Sequence, residues 1–283
     1  MSRTVYVNGD WVPEEAATIS VFDRGFLMAD GVYEVVTVLE GKLVDFAGHC
    51  RRLHRSLSEL DIASPHTEEE WLQLQRDLVH RNRLREGLVY LQVTRGAEDR
   101  DFAWSEGLTP GVVMFTQARS LVDNPLVERG LDIITIDDLR WQRRDIKTVQ
   151  LLYSSMGKMM AKRAGAHDAW MVEDGLVTEG TSNNAYIIAG RRLITRQAGH
   201  AILQGITRTA VLALAAETGL ELEERPFTVA EAQAADEAFV TSATTFVMPV
   251  VTVDGVKIGD GQPGPMARKL REHYLQQARD AAI

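Results

Sequence analysis

Asp168-Ala169-Trp170-Met171-Val172-Glu173-Asp174-Gly175-Leu176-Val177-Thr178-Glu179-Gly180 reads as two short strands folded back on a Gly-containing turn, because apolar and β-branched residues flank the polar Glu173-Asp174-Gly175. The second strand runs into Thr181-Ser182-Asn183-Asn184, a cluster of short polar side chains, and apolar residues resume at Ala185-Tyr186-Ile187-Ile188. Glu179 therefore stands on a polar island between two apolar strands. A carboxylate there either faces solvent from a turn or is aimed inward at a group whose positive charge it stabilises, and spacing leaves both readings open.

Upstream, Leu131-Asp132-Ile133-Ile134-Thr135-Ile136-Asp137 is rich in β-branched residues and predicts a strand over 131–137. Val149, Leu152, Met156, Met159 and Met160 recur at three and four and predict a helix over 149–164. Lys147, in Asp145-Ile146-Lys147, falls in the connection just ahead of that helix. The positive end of a helix dipole disfavours an ammonium, which lowers a lysine pKa, and a neutral amine is the form that attacks a carbonyl. An exposed loop lysine is the alternative at this position. Lys158 and Lys162, four apart on the same helix, are expected on its solvated face.

Three places suit an anion. Gly205-Ile206-Thr207-Arg208 opens a helix-compatible run that stops at Gly219, and the free N–H groups of a helix start favour negative charge, although Thr207 serves equally as a plain N-cap. Arg52 lies on a predicted helix with apolar Phe46, Leu53, Leu57 and Leu60, where its planar fork suits a phosphate or simply adds to the basic face of Arg51 and Arg55. Thr241-Ser242-Ala243-Thr244-Thr245 follows the apolar Ala238-Phe239-Val240 and reads as an anion-binding strand end or as a turn.

Whole-chain properties narrow the classes. The 31 basic and 40 acidic residues leave a net charge of −9, which argues against non-specific nucleic-acid binding and gives no reason to expect an anionic membrane partner. Cys50 is the single cysteine, so no disulfide forms within the chain and a reducing compartment, the cytoplasm, is expected. The N-terminal residues Met1 to Tyr6 lack a signal-peptide core, and no apolar run approaches membrane-spanning length. The seven histidines show no metal-ligand spacing, and Gly-x-Ser-x-Gly, Walker and Gly-x-Gly-x-x-Gly motifs are missing, so no metal is expected.

The remaining pattern is α+β. Asn8-Gly9 and Glu40-Gly41 mark hairpins, Thr67 with Glu70 forms a capping box, helices are expected over 46–60 and from 67, and strands over 88–94 and 112–115. Periodicity lapses around Asn124-Pro125, which divides the chain into an N-terminal domain over 1–118, a linker over 119–128 and a C-terminal domain over 129–283, with a cofactor expected in the cleft between them. The second half carries further strands near 185–195, 237–241 and 250–258 and helices near 207–218 and 266–280.

The order Asp23-Arg24-Gly25, Gly31-Val32-Tyr33-Glu34, His49-x-x-Arg52-Leu53, Arg95-Gly96, Asp145-Ile146-Lys147, Thr178-Glu179-Gly180, Gly205-Ile206-Thr207-Arg208 and Thr241-Ser242 resembles the fold-type IV pyridoxal phosphate enzymes, and among them the D-amino acid aminotransferases. The similarity runs from Tyr6 to about Leu270. It implies a two-domain α+β fold, a smaller N-terminal domain and a larger C-terminal one, and pyridoxal 5'-phosphate as cofactor. Lys147 then forms the Schiff base and shuttles a proton, and Glu179 pairs with the pyridine nitrogen, which keeps the ring an electron sink. The phosphate falls to Arg52, Gly205, Ile206, Thr207, Ser242 and Ala243. Leu203 lies against the ring and Ser182 belongs to its surroundings.

The resemblance further implies that Tyr33 and Arg100 receive the substrate α-carboxylate, Arg100 reaching in from the second subunit of a homodimer. Two positions depart from the family pattern. Phe102 stands where the family has a histidine, and Ala243 where it has a phosphate-facing threonine. The expected activity is transfer of an amino group from a D-amino acid, such as D-alanine or D-glutamate, to pyruvate or 2-oxoglutarate. Phe102 keeps (R)-amine, branched-chain amino acid and aminodeoxychorismate lyase chemistry open on the same fold.

Overall fold

The computed structural model describes residues 2–283. They form two compact units, one made of the residues up to Leu121 with Ile146–Gln150 and Arg279–Ile283, the other of Val122–Asp145 with Leu151–Ala278. Among the described residues no helix is long and apolar enough to cross a membrane.

The first unit begins with β1 (Thr4–Val7) and β2 (Asp10–Pro13), followed by α1 (Arg24–Met28), β3 (Gly31–Leu39), β4 (Lys42–Leu43), α2 (Phe46–Ser58), α3 (Glu68–Arg81), β5 (Gly87–Thr94) and β6 (Gly111–Ala118). The six strands make an antiparallel sheet in the order β2-β1-β6-β5-β3-β4. Asn8 and Gly9 turn the first hairpin with φ of 50° and 103°, so Val7 meets Asp10. Thr67 and Glu70 close the expected capping box at the start of α3.

Period-two alternation along β3 sends Val32, Glu34, Val36 and Val38 to the core, where Phe46, Leu53, Trp71 and Leu78 of the two helices meet them. Tyr33 goes to the opposite face. There it stacks on Tyr90, which stacks on Phe115 of the next strand.

The second unit comprises α4 (Leu126–Arg129), β7 (Leu131–Asp137), α5 (Leu152–Arg163), β8 (Asp168–Glu173), β9 (Leu176–Gly180), β10 (Asn184–Ala189), β11 (Arg192–Thr195), α6 (Ile206–Glu217), β12 (Glu221–Glu224), α7 (Val229–Gln233), β13 (Glu237–Ser242), β14 (Phe246–Val253), β15 (Val256–Lys257) and α8 (Pro265–Ala281). Its strands order β12-β11-β10-β13-β14-β7-β8-β9, with β15 on β14. Parallel pairs β7–β8, β14–β7 and β11–β12 sit among antiparallel ones.

Several elements differ from the sequence reading. The stretch 185–195 is two strands, because Gly190 at φ 60° turns the chain between them. β12 is mostly glutamate and has no strand signal; parallel pairing to β11 makes it extended. The five-residue helices α1 and α7 are too short to show a period. Part of the expected linker is helical, as α4. Residues 146–150 and 279–283 belong with the first unit because backbone bonds hold them there: Val149 N–H donates to Gly31 O at 3.1 Å, and Leu43 and Ile283 exchange N–H···O bonds at 2.8 and 3.1 Å.

Helix α5 has the expected period, but its apolar stripe is not its buried face. Leu152 is 75% exposed and Met156, Met159 and Met160 are also outward, while the buried positions are the small Gly157 and Ala161. Small residues let the helix lie close on the sheet: a Cβ at Gly157 would meet Ile136 Cδ1 at 2.8 Å and Thr181 Cγ2 at 3.1 Å. Lys158 is not merely solvated, since its Nζ pairs with the buried Asp168 at 2.8 Å.

Gly157→Val is therefore expected to destabilise the protein by about 1–3 kcal/mol through overpacking. Lys162→Ala, on the exposed side of the same helix, should change stability by less than about 0.5 kcal/mol in urea denaturation.

Candidate functional site

Lys147 is placed by strand β3. Tyr33 N–H donates to Lys147 O at 3.0 Å, Lys147 N–H donates to Ser56 Oγ at 3.3 Å, and Thr148 bridges to Val32. Its Nζ lies 4.1 Å from the centroid of the Tyr33 ring. Among the described residues no carboxylate forms an ion pair with that amine. The helix-start explanation is corrected here: α5 begins at Leu152 with Leu151 as its N-cap, so Thr148 to Leu151 separate the lysine from the dipole. Pairing to β3 positions the amine, and the aromatic face under it supplies an apolar support.

On the opposite face of the same strand, Glu34 is fully enclosed. Arg52 donates Nε to its Oε1 at 2.7 Å and Nη2 to its Oε2 at 2.8 Å, and His49 Nδ1 lies 2.7 Å from Oε2. Burial alone would raise the carboxyl; Arg52 and His49 overcome it and hold Glu34 well below the usual carboxylate range. This triad ties α2 to β3 and fixes the direction of the Arg52 fork. Nothing in the sequence period distinguished Glu34 from a half-exposed strand residue.

Arg100 and Phe102 lie on the loop between β5 and β6. Phe102 is 79% exposed, and the Arg100 guanidinium stands 5.3 Å from its ring centroid. Tyr33 is on the strand face described above, at the end of its aromatic stack.

In the second unit, Glu179 is not a turn residue but a buried position inside β9. Arg140 Nη1 donates to its Oε1 at 2.7 Å; Asn184 Nδ2 and the Leu203 N–H donate to its Oε2 at 3.1 Å each. Arg140 also grips Asp138 through Nε at 2.9 Å and Nη2 at 2.7 Å, and Thr178 Oγ1 donates to Asp138 Oδ2 at 2.7 Å. Burial pushes the Glu179 carboxyl up, and Arg140 and the Leu203 N–H pull the other way. Arg140 is raised despite burial because both carboxylates hold its proton. Burial outweighs the partners at Glu179, which receives one Arg140 N–H, whereas at Asp138 the forked Arg140 contact, the Thr178 hydroxyl and Arg144 outweigh burial and hold the carboxyl low.

Sequence reasoning missed Arg140, Asp138 and Asn184. The first two were visible as a charged pair directly after the strand ending at Asp137.

Asn184 also sets the start of α6. Its Nδ2 donates to Leu203 O at 2.8 Å and its Oδ1 accepts from the Gly205 N–H at 3.2 Å. A Cβ on residue 205 would meet that Oδ1 at 2.3 Å, so any other residue displaces the Asn184 amide. Gly205 is the N-cap and makes no side-chain cap, which leaves the first-turn N–H groups of Ile206 and Thr207 uncapped by a side chain. Thr207 is buried, its hydroxyl 3.5 Å from Tyr274 Oη.

Ser242 Oγ lies 2.7 Å from Thr245 Oγ1 and accepts from the Thr245 N–H at 3.2 Å, closing a turn that includes Ala243. Leu203 is half-buried beside this framework and Ser182 is exposed. Within this unit the structure thus gives a buried, partnered carboxylate, a helix start without a side-chain cap and a turn closed by the Ser242 hydroxyl. Among the described residues no group of three His, Cys, Asp or Glu is arranged to hold a metal ion.

The family model for amino-transferase class IV matches residues 31–253. The chain is 40% identical over 269 residues to the D-alanine aminotransferase of Bacillus licheniformis, covering 94% of each chain. It is 36% identical over 275 residues to the D-alanine aminotransferase of Listeria monocytogenes serotype 4b (strain F2365), covering 96% and 95%. Among solved structures, a branched-chain amino acid aminotransferase complexed with N-(5'-phosphopyridoxyl)-L-glutamate superposes with a TM-score of 0.91 at 26% identity, over 98% of this chain and 94% of that one. The branched-chain aminotransferase from the thermophilic archaeon Thermoproteus uzoniensis with norvaline superposes with a TM-score of 0.87, also at 26% identity, over 98% and 94%.

The Glu34 geometry makes stability depend on pH. A carboxyl held below its ordinary value of 4.5 stabilises fully above that value and loses the contribution as pH falls toward the folded-state value. Glu34→Gln, which removes the buried charge that Arg52 and His49 bond, should cost about 3–5 kcal/mol at pH 7. The gap to wild type should narrow as the pH drops below 4.5, followed by urea denaturation.

Proposed function

The chain belongs to the amino-transferase class IV family, and on that premise we propose that it is a pyridoxal 5'-phosphate-dependent aminotransferase moving the amino group of a D-amino acid, such as D-alanine or D-glutamate, to a 2-oxo acid such as pyruvate or 2-oxoglutarate. The observation that carries the chemistry is the Lys147 amine, seated on β3 over the Tyr33 ring with no carboxylate ion-paired to it among the described residues. The preference for D-amino acids rests on the near full-length similarity to D-alanine aminotransferases.

The donor set fits the cofactor. Glu179 offers a buried carboxylate oxygen to a ring nitrogen, Arg140 balances its charge, and the uncapped α6 start and the Ser242 turn offer N–H and hydroxyl groups to a phosphate. In this reading Lys147 holds the cofactor covalently, and Ile206, Thr207, Gly205, Ser242, Ala243 and Arg52 hold the phosphate. Leu203 supports the ring, with Ser182 beside it. Ala243 supplies a backbone N–H only, one hydroxyl contact fewer, worth about 1 kcal/mol.

Bound there, pyridoxal phosphate supplies the electron sink that lets an amino acid release its α-proton and give up its nitrogen. Lys147 Nζ would take that proton from the substrate α-carbon and hold it until its return. Tyr33 offers its hydroxyl to the substrate carboxylate, with Arg100 of a second copy as the charged partner. A homodimer follows from that role, and the outward apolar residues Leu152, Met156 and Met159 of α5 and Val21, Phe22 and Phe26 support it. The cytoplasm is the proposed compartment; burial pushes the lone Cys50 thiol up to about 11, which removes it from thiolate chemistry.

A second reading is branched-chain amino acid transamination. The apolar Phe102 and the superposition on branched-chain amino acid aminotransferases favour it.

Lys147→Ala should abolish amino transfer while Lys162→Ala retains it, in a coupled assay of 2-oxo acid release; equal activity of the two variants would refute the lysine assignment. A panel of D- and L-donors against 2-oxoglutarate should favour D-alanine or D-glutamate, and Arg100→Ala should raise the KM for these by about tenfold or more, as loss of a charge-assisted carboxylate contact of about 1.5–3 kcal/mol implies. Preference for L-leucine over every D-donor would select the second reading.

A further inference from the structure

Two sequence motifs find no part in the site above, Asp23-Arg24-Gly25 and Arg95-Gly96. They converge in space. Arg24 N–H donates to Gly96 O at 2.8 Å, Asp23 bridges to Ala97, and Thr94 Oγ1 donates to Asp23 Oδ2 at 2.8 Å. Asp23 Oδ1 also accepts from the Gly25 N–H at 2.8 Å and caps α1. A Cβ on Gly25 would strike Thr94 Cγ2 at 2.2 Å, so the approach demands glycine.

The centre of this arrangement is the Arg24 side chain, only 4% exposed. Its Nε donates to Asp30 Oδ2 at 2.8 Å, the same oxygen that accepts from Arg95 Nε at 2.8 Å. Its two terminal nitrogens turn outward onto the loop after β5: Nη1 donates to Asp101 O at 2.8 Å and Glu98 Oε1 at 3.2 Å, and Nη2 donates to Phe102 O at 3.3 Å. Glu98 in turn accepts from the Ser105 N–H at 3.2 Å through Oε2, closing the 98–105 segment of the loop. Trp104 closes over the guanidinium pair, its ring centroid 3.8 Å from Arg95 and 5.9 Å from Arg24. A buried guanidinium that satisfies a carboxylate, a second carboxylate and two loop carbonyls costs too much to arrange for stability alone, since an apolar side chain of similar volume serves a core as well.

We propose that Arg24 is a positioning residue for substrate-carboxylate recognition: by gripping the main-chain carbonyls of Asp101 and Phe102 it sets where Arg100 and Phe102 point. This rests on the proposed role of Arg100. Because the grip is on backbone, it places the main chain at 101 and 102 whatever side chain stands at 102.

The test is a double-mutant cycle in the cofactor-loaded enzyme, combining Arg24→Lys with Arg100→Ala. Two quantities are read for each variant: the KM for D-alanine, and the dissociation constant of D-lactate, an unreactive carboxylate of the same shape, from the change in cofactor absorbance. Lysine keeps the charge but has no fork for two carbonyls. Arg24→Lys is expected to weaken both about tenfold, a loss of about 1.4 kcal/mol, with kcat within about twofold and the unliganded spectrum unchanged. In the Arg100→Ala background it should add nothing. Asp30→Asn, which loosens Arg24 without removing it, should shift both values in the same direction and serves if Arg24→Lys does not fold. The proposal is overturned if Arg24→Lys leaves both values unchanged, or weakens them equally with and without Arg100. If Arg100→Ala itself leaves both unchanged, the assignment of the carboxylate site falls instead.

Discussion

Strand β3 carries the constraint on which the first unit depends: neighbouring residues on a strand face opposite ways. Glu34 goes inward, and burying its charge is tolerable only because Arg52 meets it with two N–H groups and His49 with a third contact. That cluster ties α2 to the sheet. Tyr33, one residue earlier, is thereby committed to the other face, where it stacks on Tyr90 and lies under the Lys147 amine. A register slip of one residue would bury Tyr33 and expose Glu34, so the ionic cluster and the lysine's seat stand or fall together.

The second unit solves a related problem with one arginine. Arg140 is shared by Asp138 and Glu179, and the unequal sharing leaves Glu179 the less stabilised carboxylate, completed by Asn184 and the Leu203 N–H. The same Asn184 amide reaches the Gly205 N–H, so the carboxylate and the start of α6 are parts of one hydrogen-bonded framework. Polar groups buried in this way are rigid because each lost bond leaves a partner unsatisfied.

Much of this was legible in the chain. The β-branched run at 131–137, the turn at Asp174-Gly175 and the capping box at Thr67 report local propensity, and local propensity is what a strand, a turn or a cap requires. Lys147 and Glu179 stood out as residues, but their settings, paired to β3 and buried inside β9, were not legible. Nor were their partners. Arg140 reaches Glu179 across 39 positions and Glu34 takes Arg52 across 18, and no periodicity encodes such a pairing. Helix α5 shows the limit in another form: its apolar stripe has the spacing of a core face, yet the small Gly157 and Ala161 are the residues that touch the sheet.

The sequence by itself determined the longer strands and helices, the absence of any disulfide within the chain and the residue types from which a site could be built, because propensity, turn chemistry and composition act over a few neighbouring residues. Only the tertiary structure decided which face of β3 holds Lys147, that Glu179 is buried rather than solvated, and that Asp23-Arg24-Gly25 and Arg95-Gly96 serve one loop. Those outcomes depend on strand pairing and on the burial of charge, which are settled by residues far apart in the chain and by the need to satisfy every polar group removed from water.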